Sequence, residues 1–241
     1  MSALEVLHVD NHVLAVAKPA GLASVPDASG DASALDLARA FVEREFGKPG
    51  RAFLGVVHRL DRPVSGVLVF ARTSKAAERL SAAFRERRAS KLYWGVVAGA
   101  PEQPGGVLDQ WLEKDRQRNR VRVVAPGSPG WPHSHRAPGA QRARTEWRLL
   151  ESRAGRSLLE LRPLTGRPHQ LRAGLASLGM PLLGDLKYGA PAALADKSIA
   201  LHARALAIPH PTRDERLELA AAPPVLECWS FAACDRSPGA G

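Results

Sequence analysis

The chain is poor in cysteine. Its 241 residues include only Cys228 and Cys234, which do not form a Cys-x-x-Cys motif and have no histidine cluster beside them. A disulfide framework or a structural zinc site is therefore not expected, and a reducing cytoplasm is the default compartment.

Long apolar runs are also missing. No segment approaches the ~20 consecutive apolar residues that a membrane-spanning helix requires. The first eight residues, Met1 to His8, lack the basic segment followed by an apolar segment that marks a secretory signal. We therefore expect no membrane partner.

Several common catalytic motifs are absent as well. The sequence contains no phosphate-binding Walker loop, no Gly-x-Gly-x-x-Gly and no serine nucleophile elbow. Its hydroxyl and thiol groups lack the local context of a catalytic triad. These absences argue against the nucleotide-binding and serine-hydrolase classes.

Positive charge is abundant. Lysine and arginine number 34 against 24 acidic residues, so that the formal net charge is +10 and the isoelectric point is near 10.4. Most of the basic residues are arginines, whose planar guanidinium group suits phosphate, and a nucleic acid is the commonest polyanionic partner. A genome rich in G and C would also favour arginine, so composition leaves both explanations open.

The order of apolar segments predicts an α+β protein built on a largely antiparallel sheet. Strands and helices do not alternate regularly enough for a doubly wound sheet. Strands are predicted at 4–9, 13–17, 52–57, 67–72, 91–98, 143–151, 157–161, 199–206 and 217–220, a hairpin within 110–124, and helices at 34–46, from 73 or 74, and at 169–177.

Residues 1–235 are interpreted as a single domain, with an insertion loop at 125–141 that is rich in proline and glycine. His133 and His135 in this loop have a spacing that could suit a metal, but no carboxylate or thiol accompanies them. A surface loop is the favoured interpretation. Residues 236–241 are predicted to form a disordered tail.

One stretch, Gly55 to Gly66, places ionisable groups between two apolar runs, where a fold resists charge. Asp61 is its only carboxylate, and Arg59, Arg62 and Arg172 are candidate counter-charges. A nearby arginine would keep the carboxylate ionised and available as a nucleophile or base. Spacing alone favours a simpler role, that of an Arg–Asp pair bracing the turn.

Further motifs along the chain resemble those of one family. His58-Arg-Leu-Asp61, followed by Ser65-Gly66 and an apolar strand, resembles the catalytic motif of the RluA family of RNA pseudouridine synthases. The family's first motif precedes it, at Lys18-Pro-Ala-Gly21. Further motifs follow in order at Lys91-Leu-Tyr93, Thr165-Gly-Arg-Pro-His-Gln-Leu-Arg172, Gly184-Asp185, Tyr188-Gly189, Leu201-His-Ala203 and His210-Pro211.

This resemblance implies a pseudouridine synthase fold, with a long mixed, mostly antiparallel sheet, flanking helices and a central RNA-binding cleft. It implies an isomerase that needs no cofactor and no metal. Asp61 would be the nucleophile, Tyr93 would stack on the flipped-out uracil, and Arg172 would pair with Asp61. Substrate-binding roles are expected for Arg59, which would fill the space of the flipped base, for Leu201 as an apolar wall, and for His58, Arg62, Arg167, His169 and Gln170.

The implied partner is structured ribosomal or transfer RNA, and a monomer is expected. The first motif begins near Met1, so we expect no N-terminal accessory RNA-binding domain. Two alternatives to the enzyme remain: a catalytically silent RNA-binding or ribosome-assembly module of the same fold, and a nucleoside hydrolase that uses Asp61 and His58. Binding alone needs no carboxylate near phosphate, and hydrolysis lacks a second positioned carboxylate.

Overall fold

The computed structural model describes residues 4–47, 50–115, 117–124 and 139–234. These residues form two compact units, one from residues 4–91 and 202–225 and one from residues 92–201 and 226–234. Most of the predicted loop at 125–141, including His133 and His135, lies outside the described residues, as does the predicted tail. Ala140 and Gln141, predicted as the end of that loop, instead begin a strand.

Strands outnumber helices along the described chain. In chain order the elements are β1 (Glu5–Val9), β2 (Val13–Lys18), α1 (Ala34–Glu45), β3 (Gly55–Val56), β4 (Ser65–Ala71), α2 (Ser74–Arg85), β5 (Ser90–Ala98), β6 (Gly105–Asp115), β7 (Arg120–Val124), β8 (Ala140–Arg153), β9 (Arg156–Pro163), α3 (Gln170–Ser177), β10 (Leu201–Pro209) and β11 (Arg216–Ala220), with 3₁₀ turns at Leu186–Tyr188 and Glu227–Trp229.

In the first unit, β4 lies between β2 and β10. Strand β2 pairs antiparallel with both β1 and β4, and β3 also pairs antiparallel with β4. Strand β10 runs parallel to β4 and antiparallel to β11. The mostly antiparallel pairing with few helices confirms the predicted α+β class.

Two apolar clusters cover the two faces of this sheet. Alternate residues of β4 face opposite sides: Val67 and Val69 pack with the buried face of α2, whereas Leu68 and Phe70 pack with α1. Because both faces are buried, β4 is apolar along its whole length rather than alternating between apolar and polar residues.

Both helices of the first unit begin where the sequence predicts. Ser33 caps α1 with a reciprocal capping box, in which its hydroxyl accepts from the Asp36 backbone N–H and the Asp36 carboxylate accepts from the Ser33 N–H. Thr73 caps α2 through its hydroxyl alone, which accepts from Ala76 N–H. Local sequence therefore fixes both helix starts.

The second unit is an antiparallel sheet in the order β5, β9, β8, β6 and β7. Helix α3 packs on one face of β6 and β7, where Leu112, Val121, Ala143 and Ala173 form an apolar cluster. On the opposite face, Trp94 and Leu158 pack with residues 228–231 near the end of the chain.

Several predicted strand boundaries differ from the observed ones. The hairpin predicted within 110–124 begins earlier, since Gly105 and Gly106 already belong to β6, where a Cβ on Gly105 would lie 2.7 Å from the Trp147 carbonyl oxygen. Strand β9 continues to Pro163, and the strand predicted at 52–57 contains only Gly55 and Val56. Among the described residues, no helix is long and apolar enough to cross a membrane.

Candidate active site

Asp61 lies in the first unit, in the loop that leads from β3 to β4. Its backbone carbonyl accepts a hydrogen bond from Val64 N–H at 3.0 Å, which closes the turn expected from Pro63. The Asp61 side chain is partly exposed, and Arg59 beside it is exposed. Asp61 and Arg59 are therefore both accessible from solution.

The His58 ring is bonded to and stacked on other residues of the first unit. Its Nε2 accepts a hydrogen bond from Val69 N–H at 2.9 Å, and its ring stacks on Phe84 with the centroids 4.6 Å apart. Although part of its surface is exposed, desolvation of the ring and the positive charge of Lys91 lower the pKa of His58 to about 3. A neutral ring that bonds to β4 favours a packing role over the predicted contact with substrate.

Arg62 does not resemble a free phosphate-binding group. Its guanidinium donates to the Gly21 carbonyl at 3.0 Å through Nε and forms an ion pair with Asp31, while Asp27 lies 3.9 Å from Nη1. These carboxylate partners belong to the loop before α1, so they are not the Arg–Asp brace that spacing favoured around Asp61, which stays a prediction. The contacts favour a structural role for Arg62.

Lys18, which begins the Lys18-Pro-Ala-Gly21 motif and was given no role in the site from the sequence, is buried beside this loop. Its side chain is 1% exposed, and Nζ donates to the carbonyl oxygens of Pro19, Leu22 and Arg62 at 2.9, 2.7 and 3.3 Å. Burial lowers the pKa of Lys18 to about 7, and the negative charge of Asp61 acts against this shift. A buried cation therefore lies within electrostatic reach of Asp61.

The remaining candidates belong to the second unit. Tyr93 lies on β5 opposite Leu161, and Leu201 is the buried first residue of β10. Arg167, His169, Gln170 and Arg172 occupy one continuous segment that leads into α3.

Arg172 forms a buried, bidentate ion pair with Asp185. Its Nε and Nη2 donate to the two carboxylate oxygens at 2.7 and 2.9 Å, and the side chains are 7% and 1% exposed. The guanidinium also lies over the Tyr188 ring, 5.1 Å from its centroid. The sequence placed Asp185 in a family motif without giving it a role, and the pair expected between Arg172 and Asp61 stays a prediction.

Tyr188 organises a second set of contacts around His169. The Tyr188 oxygen accepts from Val121 N–H at 2.9 Å, and it lies 2.8 Å from the Nδ1 atom of His169, within hydrogen-bond distance. His169 itself has left-handed backbone geometry, with φ of 49°, at the start of α3.

Gln170 is buried, and both polar atoms of its side-chain amide form hydrogen bonds within the second unit. The amide oxygen accepts from the Thr165 hydroxyl and from Arg167 N–H, at 2.7 and 3.0 Å. The amide nitrogen donates to the Arg144 carbonyl and to the Thr145 hydroxyl, at 3.0 and 2.9 Å. These four bonds favour a structural role for Gln170 over the predicted contact with substrate.

Arg167 retains a partly exposed side chain, and its Nε donates to the Arg142 carbonyl at 3.2 Å. Within the described part of the chain, no three His, Cys, Asp or Glu side chains are arranged to hold a metal ion.

Comparisons with known proteins agree with the motifs. A family model for RNA pseudouridylate synthases matches residues 12–177. An uncharacterised RNA pseudouridine synthase of Zymomonas mobilis is 38% identical over 209 residues, which cover 86% of this chain and 88% of that protein. The dual-specificity RNA pseudouridine synthase RluA of Haemophilus influenzae is 36% identical over 222 residues, which cover 89% and 90%.

The solved structure of human RNA pseudouridylate synthase domain containing 4 has a similar fold. It superposes with a TM-score of 0.75 at 28% sequence identity, covering 92% of this chain and 89% of that one. The match of fold, of sequence over most of the chain and of the ordered motifs leads to one assignment. The chain belongs to the RluA family of RNA pseudouridine synthases and is an isomerase.

Proposed function

We propose that this enzyme converts specific uridines of structured ribosomal or transfer RNA into pseudouridine, with Asp61 as the nucleophile. The observation that carries the proposal is Asp61 itself, a partly exposed carboxylate at the catalytic position of the His58-Arg-Leu-Asp61 motif. Its backbone is held in a tight turn, as a nucleophile of fixed direction requires.

In the proposed reaction the carboxylate of Asp61 attacks either the anomeric carbon of the ribose or the uracil ring. The bond between N1 and the ribose breaks, the uracil turns, and a new bond forms between its carbon 5 and the ribose. The bond to Asp61 breaks either when carbon 5 displaces the carboxylate from the ribose or when the carboxylate leaves the uracil ring, so that Asp61 is regenerated. Carbon 5 then loses its proton and N1 gains one. Since one glycosidic bond replaces another, the step needs no cofactor and no net oxidation.

The other residues are proposed to hold the uridine outside the RNA helix. Arg59, which is exposed, would occupy the place of the flipped base, as enzymes that extract a base require. Tyr93 would stack on the uracil and assist removal of the proton from carbon 5, and Leu201 would form an apolar wall. Arg172 would supply positive charge to the Asp61 carboxylate, with Asp185 fixing its guanidinium plane.

We also propose that residues of both units act as one catalytic domain, because the family match at 12–177 includes segments of each. All the proposed roles lie in one chain, which is consistent with a monomer. The cytoplasm is the proposed site of action, since a sequence with only two cysteines suits a reducing compartment.

Tritium release tests the role of Asp61. Unmodified RNA labelled with tritium at uracil carbon 5 is incubated with wild type, Asp61→Asn and the control Asp109→Asn, in which an exposed carboxylate is removed. Wild type and Asp109→Asn should release tritium, whereas Asp61→Asn should bind the RNA without releasing it. Equal release by wild type and Asp61→Asn would remove Asp61 from the mechanism.

The same assay separates the two roles given to Tyr93. Tyr93→Phe keeps the ring but removes the hydroxyl, so slower release would support a part in proton removal, and unchanged release would leave stacking alone. Supplying ribosomal and transfer RNA separately would show which class is the substrate.

A further inference from the structure

The backbone around Asp61 is held by a loop that lies far from it in sequence. This loop, residues 18–24, joins β2 to the segment before α1, and we call it the clamp loop. After Asp61, the Arg62 carbonyl accepts from Gly21 N–H at 2.9 Å and from Lys18 Nζ at 3.3 Å. The clamp loop therefore fixes the chain on the C-terminal side of Asp61 through backbone groups and Lys18.

On the N-terminal side, one hydroxyl group makes both contacts. Ser24 Oγ donates to the Leu60 carbonyl at 2.7 Å and accepts from Leu60 N–H at 3.0 Å. Ser24 is 5% exposed and Leu60 is 6% exposed, so water has little access to these bonds. Without the hydroxyl, two buried backbone groups of Leu60 would lose these hydrogen bonds.

Ser24 is itself attached to a rigid element. Its backbone carbonyl accepts from Leu35 N–H at 3.3 Å, and the Ala23 carbonyl accepts from Ala34 N–H at 2.8 Å. Both donors lie in the first turn of α1. The Ser24 hydroxyl therefore ties the loop that carries Asp61 to a helix, which holds a site in place better than a loop does.

The two peptide planes that meet at the Asp61 Cα atom are each fixed by a hydrogen bond to their carbonyl oxygen. The Leu60 carbonyl lies in the plane before Asp61 and is fixed by the Ser24 hydroxyl. The Asp61 carbonyl lies in the plane after it and is fixed by Val64 N–H. Only the first of these bonds depends on a side chain.

We propose that Ser24 is a positioning residue for the nucleophile: it sets the direction in which Asp61 presents its carboxylate to the uridine. The inference rests on the proposed function, because it requires Asp61 to react. Since Ser24 is buried, it has no direct access to RNA, and its loss should slow the chemical step while leaving RNA binding intact. Small errors in the direction of attack have large effects on rate.

The test compares Ser24→Thr with Ser24→Val. Both variants add a similar branch to Cβ, and only threonine keeps the hydroxyl, so crowding is common to both. We expect single-turnover tritium release, measured with enzyme in excess, to be at least tenfold slower for valine than for threonine. The Kd for the RNA should agree within twofold.

Two further variants make the outcome specific. Ser33→Ala removes another buried serine hydroxyl of the first unit, the cap of α1, which bonds to Asp36 rather than to Leu60. It should keep a near-normal single-turnover rate. If the added branch prevents both Ser24 variants from folding, the comparison of Ser24→Ala with Ser33→Ala decides, with a tenfold or larger loss of rate expected only for Ser24→Ala.

Equal rates for Ser24→Thr and Ser24→Val, or an equal loss for Ser24→Ala and Ser33→Ala, would overturn the positioning role. Asp61→Asn is run alongside. Tritium release by Asp61→Asn would overturn the proposed function itself, whereas an inactive Asp61→Asn with a fully active Ser24→Val would overturn only the role of Ser24.

Discussion

At the scale of single residues, two Arg–Asp pairs of the second unit have the same hydrogen-bond geometry but differ in burial. The carboxylate of Asp185 and the guanidinium of Arg172 are almost fully buried and share two hydrogen bonds. By contrast, the similar pair of Arg142 and Asp109 is partly exposed on β8 and β6. Burial rather than geometry distinguishes the two pairs, since both are bidentate.

This contrast predicts unequal effects on stability. Asp185→Ala should lower the free energy of unfolding by about 3–5 kcal/mol, because it removes a buried carboxylate that makes two hydrogen bonds to a buried guanidinium. Asp109→Ala should leave the free energy of unfolding nearly unchanged, because solvent screens the exposed pair. Urea denaturation followed by circular dichroism measures both, and a similar small change in the two variants would contradict the assignment of a stabilising pair to Asp185.

Residue chemistry also revises the site that sequence suggested. The motif residues His58, Arg62 and Gln170 use their polar atoms within the protein, on Val69, on Gly21 and Asp31, and on Thr165 and its neighbours. Arg59 and Asp61 retain exposed surface. Within the segment from His58 to Arg62, His58 and Arg62 therefore bond to other parts of the protein, whereas Arg59 and Asp61 can face an RNA.

At the scale of elements, β4 is the strand on which the first unit depends. It pairs with β2, β3 and β10, and it directly follows the Asp61 loop. Near its start, Gly66 has a φ of +115° and lies directly against Ala203 of β10. A Cβ at this position would lie 2.3 Å from the Ala203 carbonyl oxygen and 2.6 Å from its nitrogen, so the parallel pairing requires glycine there.

Replacing this glycine should separate β4 from β10. Gly66→Ala combines an unfavourable φ with a collision against backbone, and we expect it to lower the free energy of unfolding by about 2–5 kcal/mol. Gly99→Ala is the matched control, since Gly99 also has a positive φ, +72°, but nothing lies within 4 Å of a Cβ there. It should lose only about 1–2 kcal/mol. If thermal denaturation gave equal losses of stability for Gly66→Ala and Gly99→Ala, the close contact with Ala203 would not be the cause of the destabilisation.

At the scale of the whole molecule, the excess of positive charge remains the broadest evidence for the partner. Several exposed arginines of the second unit are neutralised by neighbours on the sheet, as in the pairs of Arg122 with Glu113 and of Arg148 with Glu160. The formal net charge of the chain is nevertheless +10. Binding to a polyanion should therefore release counterions.

RNA binding is accordingly expected to weaken steeply with salt. Between 50 and 200 mM KCl the Kd should rise by on the order of tenfold or more, because several phosphates exchange their counterions for protein cations. Fluorescence anisotropy with Asp61→Asn measures this without turnover of the RNA. A Kd that stays constant over this range would contradict RNA binding through ion pairs with the phosphates.

Much of the fold could be predicted because its signals are local. The caps of α1 and α2 join residues three positions apart, Ser33 to Asp36 and Thr73 to Ala76, so sequence alone contains both partners. The apolar length of β4 likewise indicated a buried strand. Boundaries such as Gly105 depended on a neighbouring strand, and sequence spacing does not reveal which strand that is.

By itself, the sequence determined the α+β class, the order of the elements, the family and the residue on which the chemistry is proposed to depend, Asp61. The tertiary structure decided which polar groups are already in use: Lys18 on the Arg62 carbonyl, Arg172 on Asp185, and Ser24 on Leu60. The reason is physical. A buried polar group must find a partner, and where that partner lies far along the chain, only the packing of the elements brings the two together.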